Sequence, residues 1–334
     1  MINESIGSTN RCGIVLAAGD GRRLQPLIRR LRGDALPKQY MTFSGSRSLL
    51  EQSIHRAERV IPPERLFTVV GQHHLSFPEV VRQLAVRPPG TVVIQPENKE
   101  TAPGILLPLV ALSRRYPDAV VTVFPSDHFI REEGLFMGHV ELACHAIERE
   151  LSDLILLGIE PQGAETEYGY LVPGQRSTDR ATDSLRRIVR FIEKPEVEMA
   201  RTLAADGALW NSFVMVFRAS TLLEVVQALA PQLFGAFERI RRAVGMAEEQ
   251  DIIGAEYRAM EPVNFSRSVL EALPRHSQWR LSTLPVRGVT WSDWGSERRL
   301  MADLETFGLP ARRERPQLFP GSAFGASGIT AGSI

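Results

Sequence analysis

The apolar run Cys12–Ala18 passes directly into Gly19-Asp20-Gly21-Arg22-Arg23, near the start of the chain. A strand ending in a glycine-rich loop lets backbone N–H groups approach phosphate oxygens with no Cβ in the way. Arg22 and Arg23 add fork-like, charge-assisted donors suited to a polyphosphate. Lys38, in Leu36-Pro37-Lys38-Gln39, supplies a further cation. The pattern is neither a Walker A loop, which needs GKS or GKT, nor the GxGxxG dinucleotide fingerprint.

Such a loop needs a rigid sheet behind it. Cys12–Ala18 is the all-apolar run expected of a strand buried on both faces. Further strands are expected at Arg65–Val70, Thr91–Gln95, Ala119–Phe124 and Leu154–Ile159, with helical spacing at Ser48–Val60, Pro78–Leu84, Ala102–Tyr116 and Gly134–Leu151. This alternation predicts βαβ units around a mostly parallel, Rossmann-like sheet. After Pro161 the texture changes to shorter β-like runs at Tyr168–Val172, Leu185–Ile192 and Leu209–Phe217, with helices at Val197–Ala205 and Thr221–Ala230. This smaller mixed part is expected to pack on the same sheet and wall a cleft. The expected organisation is a polar tail (1–10), one α/β domain (11–308, divided at 160/161) and a Pro/Gly/Ser/Ala-rich flexible tail (309–334).

Lys plus Arg and Asp plus Glu number 39 each. No global positive field therefore argues for nucleic acid or an anionic membrane as partner; phosphate must be held locally. Cys12 and Cys144 lack CxxC or Cys/His ligand spacing and read as reduced core thiols. No signal-like or spanning apolar segment is evident, so a cytoplasmic protein is expected. Homodimer formation is left open. His128 reads as a hydrogen-bonded structural residue, and His73 and His74 as a solvated loop pair.

Seven motifs in order carry a resemblance. Leu16-Ala17-Ala18-Gly19-Asp20-Gly21-Arg22-Arg23-Leu24 with the PKQ of 37–39 resembles the N-terminal signature of sugar-1-phosphate nucleotidylyltransferases, in its mannose-1-phosphate guanylyltransferase branch. Gln95-Pro96-Glu97-Asn98-Lys99-Glu100-Thr101-Ala102-Pro103, Phe124-Pro125-Ser126-Asp127-His128, Glu167-Tyr168-Gly169-Tyr170, Phe191-Ile192-Glu193-Lys194-Pro195, Trp210-Asn211-Ser212 and Trp291-Ser292-Asp293-Trp294-Gly295-Ser296 continue it to about Leu304.

The resemblance implies transfer of a nucleotidyl group from GTP to mannose 1-phosphate, giving GDP-mannose and pyrophosphate. It implies Arg23, Lys38 and Lys194 as catalytic cations, and Asp127 and Asp293 as ligands of Mg2+, a hard ion that takes carboxylate and phosphate oxygens. Leu16, Ala17, Ala18, Gly19, Gly21, Arg22, Glu97, Asn98 and Thr101 would bind the nucleotide. Gly169, Glu193, Lys194 and Asn211 would bind the sugar phosphate. The bland readings are a helix cap for Asp127, a turn end for Asp293, a solvated pair for Glu193 and Lys194, a turn Asn at 211 and a bulge at Gly169. The chain departs from the pattern at Glu100 (Asn in the family), Phe213 (Gly), Ser266 (Asp) and Glu297 (Trp). Alternatives are another triphosphate/sugar 1-phosphate pair, a non-catalytic nucleotide-sugar-binding paralogue, and a glycosyltransferase, which would carry a DxD motif.

Overall fold

A computed structural model describes residues 10–175 and 184–308. The expected tail 309–334, and all but the last residue of the N-terminal tail, lie outside the described residues. Nine strands form one sheet: β1 (Arg11–Ala17), β2 (Leu66–Gly71), β3 (Val92–Gln95), β4 (Val120–Pro125), β6 (Leu154–Ile159), β7 (Gly169–Pro173), β8 (Arg186–Glu193), β9 (Leu209–Arg218) and β10 (Leu281–Val286). The order is β3-β2-β1-β4-β9-β6-β10-β8-β7. The first four are mutually parallel. β9 then runs antiparallel between β4 and β6, and β8 runs antiparallel to both β7 and β10. The strands that follow residue 160 share the sheet of those before it, β9 by insertion between β4 and β6, and the sheet is parallel at one end and mixed at the other.

The apolar runs have a direct cause. In β1, Val15 and Ala17 face one core while Cys12 and Ile14 face the other. β6 divides in the same way, Ile155, Leu157 and Ile159 against Leu154 and Leu156. Helices cover both faces, so neither side of these strands can be polar. The helix Leu49–Ala57 starts one residue after the sequence expectation because Ser48 is its cap. The Ser48 hydroxyl accepts from the Glu51 N–H at 3.1 Å, and the Glu51 carboxylate accepts from the Ser48 N–H at 2.7 Å, a reciprocal capping box. Helices over Pro231–Ala243, Glu249–Ala259 and Glu297–Thr306 were not legible beforehand.

Two features position the site. The parallel pairing of Leu16 with Pro125 carries the glycine turn and Asp127 to the same sheet edge, where open α/β sheets hold their ligands. A separate two-stranded ribbon pairs β5 (Phe129–Ile130) with β11 (Trp291–Ser292), matching Ser292 to Phe129. Asp293 therefore leaves its strand beside His128 and Asp127, although 166 positions separate the two aspartates (293 minus 127). No described helix is long and apolar enough to cross a membrane.

Candidate active site

The glycine turn is held from below. Gln39 donates to the Ala17 and Gly19 carbonyls at 2.8 and 2.7 Å, and Tyr40 donates to Ala17 at 3.2 Å. Gly21 sits at φ +59°, where a Cβ would also come 3.1 Å from the Lys38 backbone nitrogen. Only glycine meets both demands without strain. Above the turn lies a cleft of about 440 Å³, with Leu16, Ala18, Gly19, Gly21 and Arg22 on one side and Asn98 and Thr101 on the other. Of the residues expected at the nucleotide, Ala17 is buried beneath the turn and Glu97 lies outside the lining, paired with Lys99 at 3.1 Å. The Thr101 hydroxyl accepts from the Phe265 N–H at 2.9 Å, stitching this segment to residues 263–265.

Beside the turn, cations and carboxylates converge. The Lys38 ammonium, its side chain 8% exposed, lies 2.9 Å from Asp127 Oδ2 and donates to the Asp293 carbonyl at 2.7 Å. Arg23 donates to Glu167 and approaches Asp293 Oδ2 at 3.7 Å. Asp293 Oδ1 accepts from the Tyr168 hydroxyl at 2.8 Å, the Gly295 N–H at 2.9 Å and Arg299. Burial alone would raise the Asp293 carboxyl, but Lys38, Arg299 and the Tyr168 hydroxyl outweigh it and hold it below its ordinary range. Among the described residues, Asp127 Oδ1 and Asp293 Oδ2 accept no hydrogen bond; His128 Nε2 stands 3.9 Å from the first and Arg23 3.7 Å from the second. One spare hard oxygen on each aspartate is a donor set that suits magnesium.

His128 is buried, accepts from Trp291 Nε1 at 3.2 Å and is pushed by burial down to about 4, in keeping with a structural residue. His73 and His74 are not a solvated pair. His74 is fully buried, because its ring packs edge-on against Tyr40.

On the far side, Gly169 pairs with Glu193, and a Cβ at 169 would come 2.8 Å from Glu193 Oε2. The pairing is regular here, not bulged, and a Cβ would crowd the Glu193 carboxylate and the Phe191 ring. Glu193 is pushed up by burial against the opposing pull of Lys194, and its N–H donates to Glu271 at 3.0 Å. Lys194 takes φ +48°. Asn211 is buried and its Oδ1 accepts from the Phe213 N–H at 3.0 Å, which supports Phe213 at φ +58°. Glu100, Lys194, Phe213 and Trp294 make four of the five described non-glycine residues with positive φ. Each abuts one of the expected site motifs, as backbone strain tends to do at functional sites.

Three contributors were missed by sequence reasoning. Gln95 lines the cleft with its amide nitrogen and oxygen both buried and without a described hydrogen-bond partner. Tyr168 was quoted within its motif, but nothing in the spacing ties it to Asp293. Arg299 lies in an amphipathic helical stretch that gives no signal; its guanidinium bridges Asp293 and Glu165.

A family profile described as nucleotidyl transferase matches residues 12–305. The xanthan biosynthesis protein XanB of Xanthomonas campestris pv. campestris (strain B100) is 32% identical over 227 residues, 68% of this chain and 46% of that protein. A mannose-1-phosphate guanylyltransferase of Escherichia coli K12 is 32% identical over 234 residues, 69% of this chain and 48% of its own length. The chain thus spans about half the length of these curated relatives. A crystal structure titled mannose-1-phosphate geranyltransferase, from Thermus thermophilus, superposes with a TM-score of 0.72 at 26% identity, covering 88% of this chain and 80% of that one. With the profile running through both the glycine turn and the second aspartate, the chain belongs to the nucleotidyl transferase family.

Proposed function

We propose that the chain transfers a guanylyl group from GTP to mannose 1-phosphate, releasing pyrophosphate and forming GDP-mannose. The observation that carries this reading is the convergence of Arg23, Lys38, Asp127 and Asp293 beside the same glycine turn whose residues 19–22 line the cleft. Relatives named mannose-1-phosphate guanylyltransferase support the choice of sugar and base.

In this reading residues 11–160 bind the nucleotide and 161–308 the sugar phosphate. The sugar phosphate oxygen attacks the α-phosphorus in line with departing pyrophosphate. The nucleophile is already an anion, so no general base is needed. The work is to bring two polyanions together and to stabilise spreading negative charge. Positioning is worth about 7–11 kcal/mol in favourable cases, and fixed charges are commonly the largest single contribution. Arg22, Arg23 and Lys38 face the triphosphate, and Lys194 faces the incoming phosphate. Asp127 and Asp293 would hold Mg2+, which when bound supplies charge neutralisation on phosphate oxygens. Gln95, with an unpaired donor and acceptor, would meet the base edge.

Phe213, where the resembled family has glycine, favours a second arm: a sugar 1-phosphate of different shape. The test is pyrophosphate release by the purified chain with Mg2+ and each nucleoside triphosphate against a panel of sugar 1-phosphates. GTP with mannose 1-phosphate is expected to give the highest kcat/KM. Release with another pair would reassign the substrates, and none with any pair would leave a binding protein.

A further inference from the structure

We propose that Asp20, His73 and His74 form a site for a zinc-class transition metal at the edge of the nucleotide cleft, separate from the Asp127/Asp293 pair. Its link to nucleotide binding rests on the transferase reading; the metal site itself does not.

The three side chains come together because β1 and β2 are parallel neighbours whose C-terminal ends carry Asp20 and the two histidines. Their ligand atoms all lie within 4.8 Å of one another. Asp20 Oδ1 is 2.8 Å from His73 Nε2 and 3.7 Å from His74 Nε2. Ligands about 2.0–2.1 Å from a tetrahedral ion sit roughly 3.3–3.4 Å apart, between those two values. Small side-chain rotations would therefore close the set. The backbone already makes room, because a Cβ on Gly71 would come 2.9 Å from His73 Cε1.

A second observation points to a ligand. His74 is fully buried, and its Nε2 has no hydrogen-bond partner among the described residues. Its Nδ1 lies 3.2 Å from the Tyr40 hydroxyl, which also lies 3.2 Å from the Ala17 carbonyl. Tyr40 has one proton. Given to Ala17, it leaves the phenol oxygen to accept from Nδ1–H, and Nε2 is a bare lone pair facing a carboxylate. Given to Nδ1, it puts a proton on Nε2, too far from Asp20 to form a hydrogen bond. Either state leaves a buried polar atom unsatisfied, at a cost of about 1–3 kcal/mol. A cation between Nε2 and Asp20 removes that cost in the first state, and a ring N–H held by an outer oxygen is how ligating histidines are oriented.

Two imidazole nitrogens and one carboxylate select zinc, cobalt or nickel over magnesium, which prefers oxygen. Asp20 Oδ2 stays outside the set, held by Arg22 at 3.2 Å and Asn98 at 3.5 Å. Without metal, Asp20 is a negative charge in a turn built to receive phosphate. A bound dication reverses that local charge and would tighten triphosphate binding.

The test is titration of the untagged, nucleotide-free chain with Co2+ in millimolar Mg2+, read by the visible bands of four-coordinate cobalt. One ion per chain, displaced by Zn2+ and not by Mg2+, is expected. His73→Ala changes a half-exposed ring outside the proposed catalytic set and should weaken Co2+ binding about tenfold or more. Zn2+ should raise the melting temperature of the parent chain and not of His73→Ala. Asp127→Asn should leave the cobalt spectrum unchanged. Equal binding by the parent and His73→Ala, displacement by Mg2+, or loss of the bands in Asp127→Asn would each overturn the proposal. Every readout is taken without turnover, so a failed transfer assay and a failed metal site remain distinguishable.

Discussion

The Tyr168 hydroxyl donates to Asp293 Oδ1 across 2.8 Å. One residue of the proposed sugar-side motif thereby orients a carboxylate from the far end of the chain. The Tyr168 ring is fixed edge-on by Trp210 and Trp291, with centroids 4.9 and 5.2 Å away, and the Arg299 guanidinium lies 4.8 Å from the ring centroid. Tyr168→Phe keeps the packing and removes one hydrogen bond to a charged acceptor, worth about 1.5–3 kcal/mol. The expected result is a chain that still folds but needs more Mg2+ for half-maximal rate, because Asp293 is less well aimed. An unchanged Mg2+ titration would remove Asp293 from the metal role.

Lys38 tests the other side of the cluster. Its ammonium satisfies Asp127 Oδ2 and the Asp293 and Trp294 carbonyls at once. A planar guanidinium cannot fill a three-cornered oxygen site made for a point charge. Lys38→Met and Lys38→Arg should both cost about 10²–10³-fold in kcat, the scale set by removing one preorganised donor. Circular dichroism and melting should show the fold kept, since Asp127 is one-third exposed and can be solvated. Full activity in Lys38→Arg would mean that charge alone suffices.

How much of this was readable beforehand differs by element. The strands β1 and β6 were legible because their apolar pattern follows directly from the faces they bury. The position of β9 between β4 and β6 was not, since a strand's neighbours depend on pairings far away in sequence. Asp127 and Asp293 were named from motifs, but their adjacency comes from the β5–β11 ribbon, two residues on each strand, too short for any periodicity. The burial of His74 was misread for a similar reason: its cover, Tyr40, arrives from a different loop. Gln95 escaped notice because an amide in a strand looks like ordinary polarity until its partners are found to be missing.

Glu193 gives a prediction in which two pH effects have opposite signs. Burial raises its carboxyl, with Lys194, Ser266 and Arg267 pulling the other way. A carboxyl raised in the folded chain binds its proton more readily there than when unfolded. Its contribution to stability is therefore fully present below the ordinary carboxylate range and is lost as pH rises through the raised value. Sugar hydroxyls, however, need the anion as acceptor. Lowering the pH through the raised value should increase the KM for the sugar 1-phosphate while Glu193's own contribution to stability grows. Glu193→Gln should flatten the acid rise in KM. Parallel KM–pH profiles for parent and variant would place Glu193 outside the sugar site.

Gln95 should separate recognition from stability most cleanly. Its amide is 1% exposed, with neither nitrogen nor oxygen paired among the described residues. An unpaired buried amide is a burden on the folded state, so Gln95→Leu, of similar volume and without polar atoms, should leave the melting temperature unchanged or raise it. A purine edge entering the cleft would supply the missing partners, and a site built to hydrogen-bond its ligand discriminates strongly against one lacking the groups. The same variant should therefore lose about tenfold or more in the kcat/KM ratio of GTP over ATP, since about 1.4 kcal/mol, one hydrogen bond's worth, is tenfold. The kcat for the preferred sugar 1-phosphate at saturating GTP should change little, because Gln95 touches none of the Lys38, Asp127 and Asp293 cluster. If instead the GTP-to-ATP ratio is unaltered while stability falls, Gln95 holds the cleft together through water and base selection lies with Asn98 or Glu100.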